Sequence, residues 1–170
     1  SRSLDLVQIL LKAGANVNQG DSKQRTPLHY GIHASAETDG DMEIETLLVS
    51  KGADVNALDA KQRSPLFYAF LPLYKAQDQL CSKLDPIETV SSVCMFAGVK
   101  LNLVDKRQRT LLHYAAQRGA TISSLYLLDR GVPIDSLDAD QNTALAIGLD
   151  NQHADYAIVL LQKNSNVAQP

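Results

Sequence analysis

Two short motifs alternate along the chain in a fixed order, and this repetition constrains the fold more than any other feature. The first motif closes an apolar stretch and occurs four times: Gly14-Ala15-Asn16-Val17-Asn18, Gly52-Ala53-Asp54-Val55-Asn56, Gly98-Val99-Lys100-Leu101-Asn102 and Gly131-Val132-Pro133-Ile134-Asp135. The second motif follows each of these after a polar turn: Thr26-Pro27-Leu28-His29-Tyr30, Ser64-Pro65-Leu66-Phe67-Tyr68, Thr110-Leu111-Leu112-His113-Tyr114 and Thr143-Ala144-Leu145-Ala146-Ile147. A degenerate fifth copy of the closing motif is Asn164-Ser165-Asn166-Val167. Such a pattern predicts stacked units that bury their apolar faces against one another.

These motifs resemble those of the ankyrin repeat family, whose unit of about 33 residues contains a Thr-Pro-Leu-His motif. The resemblance covers essentially the whole chain. It implies an all-α solenoid of about 4 to 5 stacked helix-turn-helix repeats, joined by β-hairpin-like turns. It also implies a non-catalytic protein-binding scaffold rather than an enzyme.

The repeats differ in length, and the differences predict two insertions within a single domain over residues 1–170. The expected division is a partial repeat 1–20, a repeat 21–58 with a short insertion, a repeat 59–104 with a long insertion at 71–85, a regular repeat 105–137 and a degenerate terminal repeat 138–170. In the long insertion, apolar residues near a helical period predict a short extra helix. Asp85 is expected to cap the helix that follows, with Pro86 in its first turn.

Helical periodicity also predicts which residues of the second helices are buried. Ile122, Leu125, Tyr126 and Leu128 mark one expected apolar face, and Tyr156, Val159 and Leu160 mark another. Cys94 lies on a third such face, with Val90 and Val93.

Composition excludes several classes of protein. Apolar residues make up 45% of the chain and charged residues 21%, as in globular domains, and no apolar run approaches the roughly 20 residues that span a bilayer. The two cysteines, Cys81 and Cys94, are too few for a disulfide framework and are expected to be reduced. We therefore expect an intracellular chain, cytoplasmic or nuclear, with no membrane partner. Because it lacks an initiator methionine and opens on half a unit, we expect a piece of a longer protein.

The turns between repeats carry an unusual residue and a concentration of charge. Glutamine stands at residues 24, 62, 108 and 141, where the family usually has glycine, and this puts the usual turn geometry in doubt because glutamine does not readily adopt positive φ. Although the whole chain has a net charge of −3, its first three turns hold seven basic residues and three aspartates. A local basic surface is the consequence.

The resemblance implies that the turns and the outward residues of the first helices line a concave binding surface. The candidate partner-binding residues on it are Lys23, Arg25, His33, Lys61, Arg63, Lys106, Arg107, Arg109 and Arg118. Converging arginines and lysines suit an acidic or phosphorylated peptide. The alternative is a solvated surface without a ligand. Tyr30, Tyr68 and Tyr114 fit either packing positions or this surface.

Other candidate chemistry is sparse. Asn56 lies in a pattern that resembles the asparagine hydroxylated in many ankyrin repeats. His29 and His33 have a spacing compatible with a metal, but His29 matches the structural histidine of the family, so we expect no metal and no cofactor. No catalytic motif is present.

A second interpretation concerns a parent protein. Segments beginning at Asp85, Leu112 and His153 faintly resemble ankyrin regions attached to poly(ADP-ribose) polymerases. This implies a regulatory or targeting arm of a larger nuclear enzyme that binds a polyanion, either nucleic acid or poly(ADP-ribose). The net charge and the lack of a nucleic-acid motif favour a protein ligand instead.

Overall fold

The computed structural model describes residues 2–36, 41–71 and 85–167, and within these ranges every regular element is a helix. The helices are α1 (Arg2–Lys12), α2 (Pro27–Ser35), α3 (Glu43–Ser50), a 3₁₀ helix (Pro65–Phe70), α4 (Ile87–Cys94), α5 (Leu111–Arg118), α6 (Thr121–Leu128), α7 (Ala144–Asp150) and α8 (Ala154–Val167). The predicted extra helix in the long insertion and Cys81 lie outside the described residues. None of the described helices is long and apolar enough to cross a membrane.

The helices form two layers. The first helices of successive repeats pack side by side in the order α2, 3₁₀ helix, α5, α7, and each contacts its own second helix behind it. The core between them includes Leu28, Phe67 and Leu112, each fully buried. Aromatic edges also join neighbouring repeats, since the rings of Phe67 and Tyr114 meet edge-to-face at 5.2 Å. The predicted stack of helix-turn-helix repeats is therefore confirmed, whereas the exact repeat boundaries stay a prediction.

The second motif starts each first helix for local reasons. Thr26, Ser64, Thr110 and Thr143 each have an extended backbone immediately before the helix. Pro27 and Pro65 then occupy the first turn, where a missing N–H costs nothing. His29 makes the start specific: its Nδ1 accepts the N–H of Thr26 at 3.0 Å, and Nε2 donates to the carbonyl of Arg63 in the next repeat at 3.1 Å. His113 does the same with Thr110 and Asn142.

The turns keep the geometry that the sequence puts in doubt. Gln24, Gln62, Gln108 and Gln141 all adopt positive φ, between 59° and 64°. The expectation that glutamine would not readily do so is wrong for this chain. The reason lies in an aspartate three residues earlier. In the second turn Asp59 Oδ1 accepts the backbone N–H groups of Lys61 at 2.8 Å and Arg63 at 2.9 Å, which holds the intervening residue in the left-handed region.

Two predictions about the second helices need correction. Asp85 does not cap α4, because its carboxylate accepts the backbone N–H groups of Ile122 and Ser123 at the start of α6, and also the hydroxyl of Ser123. Ser123 is fully buried and Ile122 is exposed, contrary to the predicted apolar face. The buried apolar residue of α6 is Leu127.

The other two apolar faces are mostly as expected. Val90 and Val93 are buried with Cys94 packed partly against them, and Tyr156 and Leu160 are buried on α8. The degenerate fifth copy of the closing motif, however, does not end its helix, because α8 continues to Val167. That segment has no glycine to end a helix at positive φ, in contrast to Gly52 (φ 87°) after α3.

Candidate functional site

The four turns, residues 21–25, 59–63, 105–109 and 138–142, lie next to one another and are called here the tip face. Backbone hydrogen bonds join each tip to the next: Ala60 N–H to the Lys23 carbonyl at 2.8 Å, Lys106 N–H to the Lys61 carbonyl at 2.9 Å and Ala139 N–H to the Arg107 carbonyl at 2.8 Å. Side chains at matching positions of the tips are therefore held in register along the stack.

Three predicted binding arginines, Arg25, Arg63 and Arg109, belong to a repeated cluster within their own repeats. In the second tip, Arg63 donates through Nε and Nη2 to Asp59 Oδ2 at 2.9 and 2.7 Å. The Tyr68 hydroxyl donates to the same oxygen at 2.8 Å, and the guanidinium lies over the Tyr68 ring at 4.9 Å. Arg109, Asp105 and Tyr114 repeat this arrangement, as do Arg25, Asp21 and Tyr30.

The aspartate carboxylate of each cluster balances the positive charge of its arginine. Their side chains are only 24% (Arg25), 13% (Arg63) and 18% (Arg109) exposed. Burial by itself would raise the pKa of Asp59 and Asp105, but the hydrogen bonds from arginine and tyrosine outweigh it and hold both pKa values below their ordinary range. The carboxylates thus stay charged, and each matches one guanidinium.

The tip lysines have a different environment. Lys23, Lys61 and Lys106 are exposed, and their ammonium groups have no hydrogen bond or ion pair with any residue that the structure describes. The backbone ladder places them on successive tips. They supply the uncompensated positive charge of the tip face.

The remaining candidates are engaged with a neighbouring repeat. Arg107 pairs with Asp140 of the fourth tip, and both side chains are more than half exposed. His33 of α2 and Arg118 of α5 approach the 3₁₀ helix from either side: His33 Nδ1 is 3.0 Å from the Tyr68 carbonyl, and Arg118 Nη1 donates to the Ala69 carbonyl at 3.3 Å. Both side chains come from the last turns of their helices, at the opposite ends from the tips.

The tyrosines serve packing and the clusters at once. Tyr68 and Tyr114 are 4% and 2% exposed, whereas Tyr30, on the first of the described first helices, is 45% exposed. Burial, together with the hydrogen bond to aspartate, raises the pKa of Tyr68 and Tyr114 far above the ordinary tyrosine value. Both hydroxyls therefore remain protonated donors.

Asn56 lies between two closing motifs. Its Nδ2 donates to the Gly98 carbonyl at 2.7 Å, and its Oδ1 accepts the N–H of Lys100 at 2.9 Å. Asn18 bridges to Gly52 and Asp54 in the same way. The amide of Asn56 is thus a structural link, and its hydroxylation stays a prediction.

His29 and His33 do not point to a common ligand position. Both nitrogens of His29 are committed within the helix start and to Arg63, and burial lowers the pKa of His29, so it stays neutral. His33 points to the Tyr68 carbonyl instead. Among the described residues no group of three or more histidine, cysteine, aspartate or glutamate side chains could hold a metal.

Sequence reasoning overlooked the aspartates. Asp21, Asp59 and Asp105 entered it only in the count of charges, but each closes its turn, binds an arginine and accepts a tyrosine hydroxyl. The available signal was the spacing itself: an arginine four residues after each aspartate and a tyrosine nine residues after it, three times over.

The family models that match this chain both describe the same kind of repeat. A model of ankyrin repeats in three copies matches residues 79–170, and a model of a single ankyrin repeat matches residues 23–60. Among curated proteins, the chain is similar to a poly(ADP-ribose) polymerase tankyrase of Caenorhabditis elegans, with 29% identity over 86 residues. That match covers 50% of this chain and 4% of the relative.

Proposed function

The chain belongs to the ankyrin repeat family, and from this premise we propose that it is a scaffold whose tip face binds an acidic or phosphorylated peptide of a protein partner. Ankyrin repeats are non-catalytic protein-interaction modules, so the broad class follows from the family. The choice of ligand is our inference from the charges of the tip face. Members of the family typically work inside the cell, and a cytoplasmic or nuclear setting is part of the proposal.

One observation carries the proposed ligand. Lys23, Lys61 and Lys106 form a row of unpaired ammonium groups on successive tips of a chain whose net charge is −3, with Lys106 one residue earlier in its tip than the other two. An extended peptide running along the tips would meet one lysine per repeat. Carboxylates or phosphates spaced along it would form several charge-assisted hydrogen bonds at once.

The experiment is a charge reversal on the row. We expect Lys23→Glu, Lys61→Glu and Lys106→Glu together to weaken binding of a phosphoserine-rich peptide by about tenfold or more, since each exposed pair contributes about 0.2–1 kcal/mol and reversal adds repulsion. Fluorescence anisotropy at low and high salt measures the change. Reversing the arginines would be less informative, because Arg63 and Arg109 also hold their turns closed.

The matched control reverses three other exposed lysines, Lys12, Lys51 and Lys100, which lie at the ends of the second helices or in the closing motif. Net charge changes equally in both triple variants. Equal loss of binding in both would show attraction by overall charge alone and would overturn the proposed tip-face site. Unchanged binding in the first triple variant would overturn it as well.

The similarity to a poly(ADP-ribose) polymerase favours a second candidate, an arm of a larger nuclear enzyme that binds a polyanion. Because the chain covers 4% of that relative, the enzyme's own activity does not transfer to it. The same anisotropy assay, with poly(ADP-ribose) and a single-stranded oligonucleotide as probes, separates the candidates. Polyanion binding tighter than peptide binding, and falling steeply with salt, would favour the arm.

A further inference from the structure

The fourth tip lacks the two side chains that complete the other three. At the position of Arg25, Arg63 and Arg109 it has Asn142, and at the position of the three tyrosines it has Ile147. The aspartate is nevertheless retained as Asp138. The fourth tip therefore has the aspartate acceptor of the cluster but neither the arginine nor the tyrosine that donates to it in the other tips.

Asp138 still closes the turn. Its Oδ1 accepts the backbone N–H groups of Asp140 and Asn142, each at 2.9 Å, as in the other tips. Its Oδ2 corresponds to the oxygen that takes an arginine and a tyrosine elsewhere, and here it has no hydrogen bond or ion pair with any described residue. Asp138 as a whole is only 5% exposed, and Oδ2 is the part of its carboxylate that solvent or a ligand can still reach. Oδ2 therefore keeps the acceptor capacity that arginine and tyrosine use in the other tips, and a charge-assisted hydrogen bond from a ligand would be favourable there.

An open cavity of about 440 Å³ adjoins this carboxylate, so a ligand group can reach it. Its lining includes Arg107, Arg109, Gln117, Asp138, Asp140 and Asp150. Arg107 is matched by Asp140, and Arg109 by Asp105. The carboxylates of Asp138 and Asp150 remain without a cationic partner in the described part of the chain, and the cavity is therefore locally acidic beside a basic row.

We propose that this cavity binds an arginine side chain of the partner, which takes the place that the chain's own arginines take in the other tips. The guanidinium fork is the group that fits, because Arg63 and Arg109 each bring Nε and Nη2 to one carboxylate oxygen in the equivalent position. Lysine offers a point charge without that fork. The inference rests on the proposed function in one respect, that the tip face receives a protein segment. It adds that an arginine of this segment lies at the end of the lysine row.

A small probe tests the cavity without the lysine row. We expect N-acetyl-arginine amide to shift the backbone amide signals of residues 138–142 in ¹⁵N-resolved NMR spectra of the 170-residue chain. N-acetyl-lysine amide and N-acetyl-citrulline amide are matched in size and should shift them at least about tenfold more weakly, because one lacks the fork and the other the charge. Asp138→Asn keeps a turn acceptor at Oδ1 and should abolish the arginine shifts.

A second variant keeps the test meaningful if Asp138→Asn perturbs the turn. Asn142→Arg with Ile147→Tyr restores the cluster within the chain, and we expect it to raise the melting temperature and to block the arginine probe. Asp155→Asn, an exposed change on α8, is the control that should leave probe binding unchanged.

Equal shifts from arginine and lysine, no shifts at residues 138–142, or continued binding by the refilled variant would each overturn the proposal. The outcome is separate from that of the lysine-row experiment. Arginine binding can persist where acidic peptides fail to bind, and the reverse can also occur.

Discussion

A single aspartate in each of the first three tips serves two structural purposes through its two oxygens. In the third tip, Asp105 Oδ1 holds the backbone of the turn while Oδ2 binds Arg109 and Tyr114. These hydrogen bonds hold the glutamine of the turn at positive φ, although the left-handed region costs a residue with a Cβ about 1–2 kcal/mol. The tip therefore stores local strain that its hydrogen bonds offset.

This strain is measurable by replacing the glutamine with glycine. We expect Gln62→Gly to raise the free energy of unfolding by about 0.5 kcal/mol, because relief at φ 61° exceeds the entropy that glycine adds to the unfolded chain. Urea denaturation gives the value. Lys61→Gly in the same turn is the control, and it should lower stability because Lys61 has no positive φ to relieve. Equal destabilisation by both changes would show that the left-handed residue is unstrained.

At the scale of elements, α2 and α3 enclose a carboxyl group in their interface. Glu45 of α3 is buried, its Oε1 accepts the hydroxyl of Ser35 at 2.8 Å, and its Oε2 has no hydrogen bond partner in the described structure. Gly31 of α2 makes room for it, since a Cβ there would lie 2.8 Å from Oε1. Burial raises the pKa of Glu45 above its ordinary value, and the nearby charge of Asp41 acts in the same direction.

A raised pKa makes the folded state bind a proton more tightly than the unfolded state. The stability linked to Glu45 is then fully present below the ordinary pKa of 4.5 and is lost as pH rises through the folded pKa. We expect Glu45→Gln, which cannot ionise, to gain stability relative to the wild type between about pH 4 and pH 8, by about 1.4 kcal/mol for each unit of pKa difference. Urea denaturation of both proteins at the two pH values measures this gain.

The exposed Glu43 of the same helix provides the control, and Glu43→Gln should show no such gain. A constant difference between the wild type and Glu45→Gln across this pH range would mean that Glu45 has the same proton affinity in the folded and unfolded chains.

The elements were predictable from sequence where their signals are local, and the contacts between repeats were not. Thr26-Pro27 starts a helix and Gly52 ends one through backbone preferences of those residues themselves. Asp85, by contrast, looks like a cap for the next helix but binds Ser123, 38 residues away, and only the packed structure brings them together. The tip arginines were visible as charges, but their pairing with aspartate and tyrosine was not deduced, so a count of basic residues overstated the basic surface.

At the scale of the whole molecule, the helices differ in how many neighbours bury them. Among the described elements α1 packs on α3, whereas α5 packs on α6, α7 and the 3₁₀ helix. Leu6, Ile9 and Leu10 of α1 are exposed, and Leu111 and Leu112 of α5 are buried. In a stacked array, stability is close to a sum of repeat and interface terms, so a helix with few interfaces opens at a low free energy.

We therefore expect native-state hydrogen exchange to rank the helices, with α1 opening at the lowest free energy and α5 at the highest. Leu112→Ala should cost about 2–5 kcal/mol and lower the protection of all the central helices, because it removes a fully buried side chain from the shared core. Leu11→Ala, at a partly buried position of α1, should lower protection in α1 alone. Equal opening free energies in every helix, or a loss of protection in α5 caused by Leu11→Ala, would show that the array unfolds as one cooperative unit in spite of its unequal interfaces.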